Sequence, residues 1–182
     1  MKKVFILLLT TTLLSCLNQS SNEEKKNNNI TESVQEQKKS KALVFELDLE
    51  MSEPEDIKLI AINTFLNNGQ YIDIYITQKV NANERTKTIL FELPDNISPD
   101  NFVGVSLGSN EVKEVKINNI KLSYRDLNYN IESDAVLDYF KTNKFLEYNE
   151  TSKVFKTKKV NGKHNPILIL RKIYIDKIQG IR

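Results

Sequence analysis

From residue 43 onward, apolar and polar side chains alternate along most of the chain. In LVFELDLEM, residues 43–51, the positions Leu43, Phe45, Leu47, Leu49 and Met51 fall on one side, and Glu46, Asp48 and Glu50 on the other. Successive strand residues point to opposite faces, so a period of two predicts a strand with one buried face. Residues 52–56 break the pattern with Pro54, which marks a loop. Residues 57–65 resume as a strand that is more apolar on both sides, and Asn67, Asn68 and Gly69 suit a tight turn. Residues 71–80 follow, with Ile72, Ile74 and Ile76 alternating against Tyr71, Asp73 and Tyr75. A polar loop is expected at 81–85.

Residues 86–93 form the next expected strand, with Ile89, Phe91 and Leu93 on one face. A loop with two prolines spans 94–101, and 102–107 is a strand closing on Gly108, Ser109 and Asn110. Residues 112–124 make a long strand whose inward set changes phase. Val115 and Ile117 precede Asn118 and Asn119, while Ile120, Leu122 and Tyr124 follow them. One extra residue, a β-bulge, produces such a shift. SDAVLDYF, residues 133–140, is expected to be the one short helix, with Ser133 as its N-cap and an acid in the first turn. Residues 144–148, 153–160 and 167–175 complete the set as strands, with turns at 149–152 and 161–163. About nine short strands and a single helix predict a mainly β fold, an antiparallel β-sandwich, with a closed barrel as the alternative.

Residues 90–124, LFELPDNISPDNFVGVSLGSNEVKEVKINNIKLSY, run as strand, proline-bounded loop, strand ending in a glycine turn, and strand closing on INNIKLSY. This order resembles the later strands of galactose-binding-like jelly-roll domains of bacterial surface and glycan-processing proteins. The resemblance implies a jelly-roll-like sandwich. It brings no binding residues with it, and this architecture hosts many activities.

Residues 1–41 do not share the alternation. Lys2 and Lys3 precede an uncharged run, residues 4–14, interrupted by Thr10, Thr11 and Thr12. The run is shorter than the roughly 20 residues of a membrane-spanning helix and suits the apolar region of a secretory signal. Leu13, Leu14, Ser15 and Cys16 then resemble the lipobox of bacterial lipoproteins. The resemblance implies cleavage before Cys16, diacylglycerol on its thiol and an acyl chain such as palmitate on its amine. The chain would then be anchored at the cell envelope, with the outer membrane as the expected site. Each buried methylene contributes about 0.8 kcal/mol to such an anchor. Cys16 is the only cysteine, so no intramolecular disulfide is available to the rest of the chain.

Residues 17–41 are polar, with Leu17, Ile30 and Val34 as sparse apolar positions. Such a composition cannot bury enough apolar surface to offset the entropy of ordering, so a flexible tether is expected. Glu23 and Glu24, near the cysteine, resemble the surface-export signals of some Bacteroidetes-type lipoproteins. The expected organisation is a signal peptide at 1–15, a lipidated cysteine and tether at 16–41, and a single domain at 42–182. About 140 residues is an ordinary domain length.

Removing the signal takes the formal charge from +2 to zero, so net charge gives no reason to expect a nucleic-acid partner. Within the domain the charge is uneven. Residues 42–140 carry seventeen acids against eight Lys and Arg, and residues 141–182 carry three against eleven. Either the basic segment neutralises the domain's own acids, or it forms a face for an anionic glycan or membrane surface. Lys156 and Lys158 share one face of the expected strand, with Lys159 on the other.

Sites for catalysis are scarce. One histidine, His164, and one cysteine cannot build a His/Cys metal site. No phosphate loop or dinucleotide fingerprint occurs. The densest carboxylate group is Glu53, Glu55 and Asp56, beside Asp48 and Glu50. Such a group could hold calcium, but clustered loop acids are usually hydrated, so no metal or cofactor is expected. Tyr71, Tyr75, Tyr124, Tyr129 and Tyr148 are the candidate residues for stacking on a sugar, with Lys156 and Lys158 as candidate basic contacts. The leading expectation is a non-catalytic, lipid-anchored binding module for glycan or protein. The alternatives are a structural subunit of an envelope complex and a carboxylate-dependent glycan hydrolase. A glycan binder should expose a tyrosine-bearing concave face, and an assembly subunit a flat apolar patch.

Overall fold

On the first strand, Phe45, Leu47, Leu49 and Met51 are buried on one side, and Val44, Glu46, Asp48 and Glu50 stay half-exposed on the other. The computed structural model describes residues 42–66, 69–81, 86–95 and 97–180. The expected signal peptide at 1–15, Cys16, the tether with Glu23 and Glu24, the turn at Asn67 and Asn68 and most of the 81–85 loop lie outside the described residues.

In chain order the elements begin with β1 (Val44–Met51), β2 (Glu55–Leu66), β3 (Tyr71–Val80), β4 (Thr86–Glu92), β5 (Ile97–Ser98) and β6 (Phe102–Ser106). Then come β7 (Glu114–Tyr124), β8 (Leu127–Glu132), α1 (Val136–Tyr139) and β9 (Phe140–Thr142). The chain continues through β10 (Leu146–Asn149), β11 (Val154–Thr157), β12 (Ile167–Leu170) and α2 (Lys172–Gln179). The strands form two six-stranded sheets. The first has the order β10-β11-β7-β1-β4, with β8 also on β7, and the second the order β3-β2-β6-β12-β9, with β5 on β2. All pairings are antiparallel, and the sheets form the expected β-sandwich.

One core lies between them. Phe45, Leu47, Phe91, Ile117 and Phe155 enter it from the first sheet, and Ile57, Leu59, Val105, Phe140 and Leu168 from the second. Burying each such side chain contributes roughly 1.5–3 kcal/mol. With no cysteine after Cys16, the described fold has no disulfide to add to this.

The phase change in β7 is a bulge. Asp48 faces Asn119 and Leu49 faces Ile117, so Asn118 is the extra residue. It lets Val115 and Ile117 before it, and Ile120, Leu122 and Tyr124 after it, all reach the core. A second register shift lies in β2 between Ala61 and Thr64, and both residues are buried.

Other expectations need correction. The helix is only α1, four residues long, and it starts after Ala135 with no side-chain cap. Ser133 sits in the turn leaving β8, closed by the Ala135 N–H on the Glu132 carbonyl at 3.0 Å, so it cannot cap the helix. The expected strand at 167–175 divides into β12 and a second helix, α2. In α2, Ile175 and Ile178 are buried three residues apart and Gly180 ends the helix at φ 75°. Glycine tolerates that left-handed conformation where a side chain would clash. The strands expected at 144–148 and 153–160 are shorter, as β10 and β11, and β5, β8 and β9 were not expected. No helix among the described residues is long and apolar enough to cross a membrane.

Candidate functional site

The second sheet turns an apolar surface outward. Ile57, Leu59 and Ala61 of β2 enter the core, which leaves Lys58, Ile60 and Ile62 on the opposite face. The register aligns Tyr75, Ile60, Gly104, Ile169 and Lys141 in one row across all five main strands. Ile62 lies beside Phe102 in the next row, and Lys58, Ser106 and Ile167 form another. Ile60, Ile62, Phe102, Ile167 and Ile169 are half-buried and do not belong to the core. Tyr71 and Tyr75 are the most open, at 58% and 60% exposed. A Cβ on Gly104 would stand 2.9 Å from both the Phe102 ring and Ile167 Cγ2, so these two side chains close over the strand there.

The outer face of the first sheet is polar. Lys121 Nζ lies 2.6 Å from Glu46 Oε1, and Lys116 Nζ 3.4 Å from Glu50 Oε1. The bulge residue Asn118 donates to Glu50 at 3.1 Å, and this hydrogen bond, with Lys116, holds the Glu50 carboxyl below its ordinary pKa. A hollow of about 260 Å³ opens on this face beside Glu46, Lys121, Ser123, Asn128, Tyr129 and Asn130. Lys158 pairs with Glu147, and Lys156 stands between Glu147 on β10 and Glu114 on β7. The Lys158 hydrogen bond and charge lower the Glu147 pKa, with a smaller contribution from Lys156. These two candidate lysines therefore face acids of their own domain.

The candidate tyrosines fall into different environments. Tyr124 is 3% exposed with the Arg125 guanidinium 5.0 Å over its ring, so it offers no face to a ligand. Tyr148 packs on Phe155 at 4.6 Å and donates its hydroxyl to the Ser133 carbonyl at 3.2 Å. Tyr129 joins Tyr139 of α1 and Tyr174 of α2, two residues the sequence pattern did not single out. Tyr139 and Tyr174 stack at 4.5 Å, and Tyr129 meets them edge-on at 5.7 and 5.6 Å. Burial raises the Tyr129 and Tyr174 hydroxyl pKa values, and the neighbouring tyrosines add to it. Only Tyr71 and Tyr75 share one open face.

The acids around Pro54 do not gather round a cation. Glu55 is buried and forms an ion pair with Lys113, whose side chains are 2% and 0% exposed. Its carboxylate also accepts from the backbone N–H of Asp56 at 3.1 Å and of Asn110 at 3.1 Å, and from Asn110 Nδ2 at 2.7 Å. Burial pushes the Glu55 pKa up, but Lys113 and these N–H groups outweigh it and hold the carboxyl below its ordinary value. Gly108, at φ 84°, makes room, since a Cβ there would lie 1.8 Å from Glu55 Cγ. Lys113 also donates to the Glu111 carbonyl at 3.0 Å, and its backbone N–H to Thr157 Oγ1 at 2.8 Å. With its oxygens committed in this way, Glu55 is a structural clamp between β2 and the entry to β7. His164 Nδ1 lies 3.1 Å from the Ser109 carbonyl in the adjoining loop. Among the described residues no group of three or more His, Cys, Asp or Glu side chains could hold a metal ion.

No family model, curated protein or solved structure matches the chain.

Proposed function

We propose that this chain is a lipid-anchored protein of the bacterial cell envelope, a non-catalytic module that docks a partner protein on the outer face of its second sheet. Lys2, Lys3, the uncharged run and the order Leu13, Leu14, Ser15, Cys16 support the anchor. The docking surface is supported by one observation above the others, the row of Tyr75, Ile60, Gly104 and Ile169 with Phe102 and Ile167 beside it. Such a surface supplies dispersion contacts and few hydrogen-bonding groups. The hydroxyls of a sugar would lose water there without replacement, whereas the apolar centre of a protein interface would not. This favours the assembly role over the glycan role.

A glycan ligand has one observation in its favour, the hollow beside Asn128, Asn130 and Ser123, which is a little smaller than usual ligand pockets. Two measurements separate the readings. Native gel electrophoresis of detergent-extracted envelopes should give a complex that the Tyr75→Lys, Ile169→Lys variant abolishes while its melting temperature stays the same. Co-sedimentation of the wild type with envelope polysaccharide, lost in Asn128→Ala, Asn130→Ala but kept in the first variant, would replace the protein partner with a glycan. The anchor is tested apart from both: Cys16→Ser should move the protein from the membrane to the soluble fraction.

A further inference from the structure

Among the described residues four strands end the main paths of the two sheets, beside the side strands β5 and β8, and they are not alike. At one flank β9 and β10 are three and four residues long. At the other, β3 and β4 are ten and seven residues long and are joined by the 81–85 connection. Short edges are a usual protection against pairing with another chain, and long open ones invite it. β4 carries Lys87, whose ammonium reaches the Lys79 carbonyl at 2.9 Å and marks the end of the open segment. β3 also overhangs the core. Its inward-facing Ile72 is 38% exposed, and Ile74 and Ile76 are only partly buried.

We propose that β3 pairs antiparallel with β3 of a second copy across a two-fold axis at Ile76. A two-fold axis normal to the sheet keeps the outer faces on the same side, so only residues of like parity stand opposite each other. The charges of β3 are Asp73 and Lys79. Only the register centred on Ile76 sets Asp73 of each copy against Lys79 of the other. A register centred on Asp73 or on Lys79 would instead oppose like charges, which is unfavourable across strands. The same register sets Tyr75 against Thr77 and Ile74 against Gln78, and it extends from Ile72 to Val80. Tyr75 of one copy then lies diagonal to Tyr75 of the other, about 7–8 Å away and within reach of an aromatic ring. The partly exposed Ile72, Ile74 and Ile76 gain cover on the inner side. The two apolar outer faces become one continuous surface of twice the width. This association does not depend on lipid at Cys16 or on the identity of any other partner.

The test is a charge exchange on the full-length protein in detergent, with mass measured by sedimentation at micromolar concentration. The wild type should sediment as a dimer. Asp73→Lys and Lys79→Asp should each weaken dimerisation by about tenfold or more, since each opposes like charges twice across the axis. The double variant should restore it. Unchanged circular dichroism and melting temperature would show that all three fold. A monomeric wild type would overturn the proposal. So would single variants that dimerise as the wild type does, a double variant that stays monomeric, or a different protein found cross-linked to position 76.

Discussion

On the outer side of the first sheet, Glu46 faces Lys121 and Glu50 faces Lys116 from strand to strand. On the outer side of the second, Ile60, Ile62, Phe102, Ile167 and Ile169 occupy the corresponding positions. Both sheets meet the same demand inward, an apolar layer against a shared core. Outward, water solvates either chemistry without unfolding the domain, so the fold itself does not dictate what stands there. Surface ion pairs contribute little to stability, and half-exposed isoleucines bury only part of their area. The contrast is one of chemistry: ion pairs stand on the first face, and half-buried apolar side chains on the second.

The largest effect is expected where the two sheets are tied together. Replacing Lys113 with Met alone, or Glu55 with Gln alone, should cost about 3–5 kcal/mol, because a buried charge or polar group loses its partner. In a domain of this size that is on the order of 10 °C in melting temperature. Glu55→Leu with Lys113→Met should recover most of the loss, as apolar replacements of buried pairs often do. The pH dependence has a definite sign. The folded Glu55 pKa lies below its ordinary value, so its stabilisation is complete above the ordinary carboxylate range, near 4.3. It is lost as pH falls through the lower, folded value. Denaturant titrations between neutral and acid pH should show the wild-type advantage over Glu55→Gln shrinking with acid. A constant advantage would mean that core packing alone joins the sheets here.

A smaller effect is expected at Gly104. Alanine there must displace the Phe102 ring and Ile167, a local overpacking worth about 1–3 kcal/mol by thermal denaturation. Ser123→Ala, on the outer face of the first sheet, should change stability by under about 0.5 kcal/mol. Equal effects would remove the distinction between a closed apolar face and a solvated one. The smallest is expected for the Glu46–Lys121 pair, whose side chains are 37% and 55% exposed. A double-mutant cycle should return about 0.2–1 kcal/mol, and added salt should reduce it. A salt-independent coupling would show that the first sheet's face is less open to water than its composition suggests.

β1, β4 and β7 were legible because each alternates cleanly and each has one buried face. Even the bulge at Asn118 left a mark, two like-facing sets out of phase by one residue. β8 carries a similar signal, with Leu127, Tyr129 and Ile131 alternating against Asn128, Asn130 and Glu132, although no strand was expected there. α2 was missed because Ile167, Ile169, Ile173 and Ile175 continue an alternation across Arg171. The helical spacing of Ile175 and Ile178, with Gly180 after it, was the competing signal. In β2, β6 and β12 apolar residues occupy both faces. A sequence pattern does not say which face meets the core, so the outer face of the second sheet could not be separated from it. Tyr71 and Tyr124 looked alike as strand tyrosines, yet one is open and the other 3% exposed.

Alternation, turn residues and loop prolines by themselves determined that the chain forms short antiparallel strands and which residues of β1, β4 and β7 are buried. Those properties depend on neighbours a few positions apart. Which strands became edges, which tyrosines came together and which lysine was buried against Glu55 were decided only by the tertiary structure. Lys113 lies 58 positions from Glu55. Nothing local distinguishes it from Lys116 or Lys121, which stay at the surface beside glutamates of their own sheet. A lysine can be buried only where a carboxylate, its backbone donors and a glycine without a side chain converge, and that convergence exists only once the two sheets are packed.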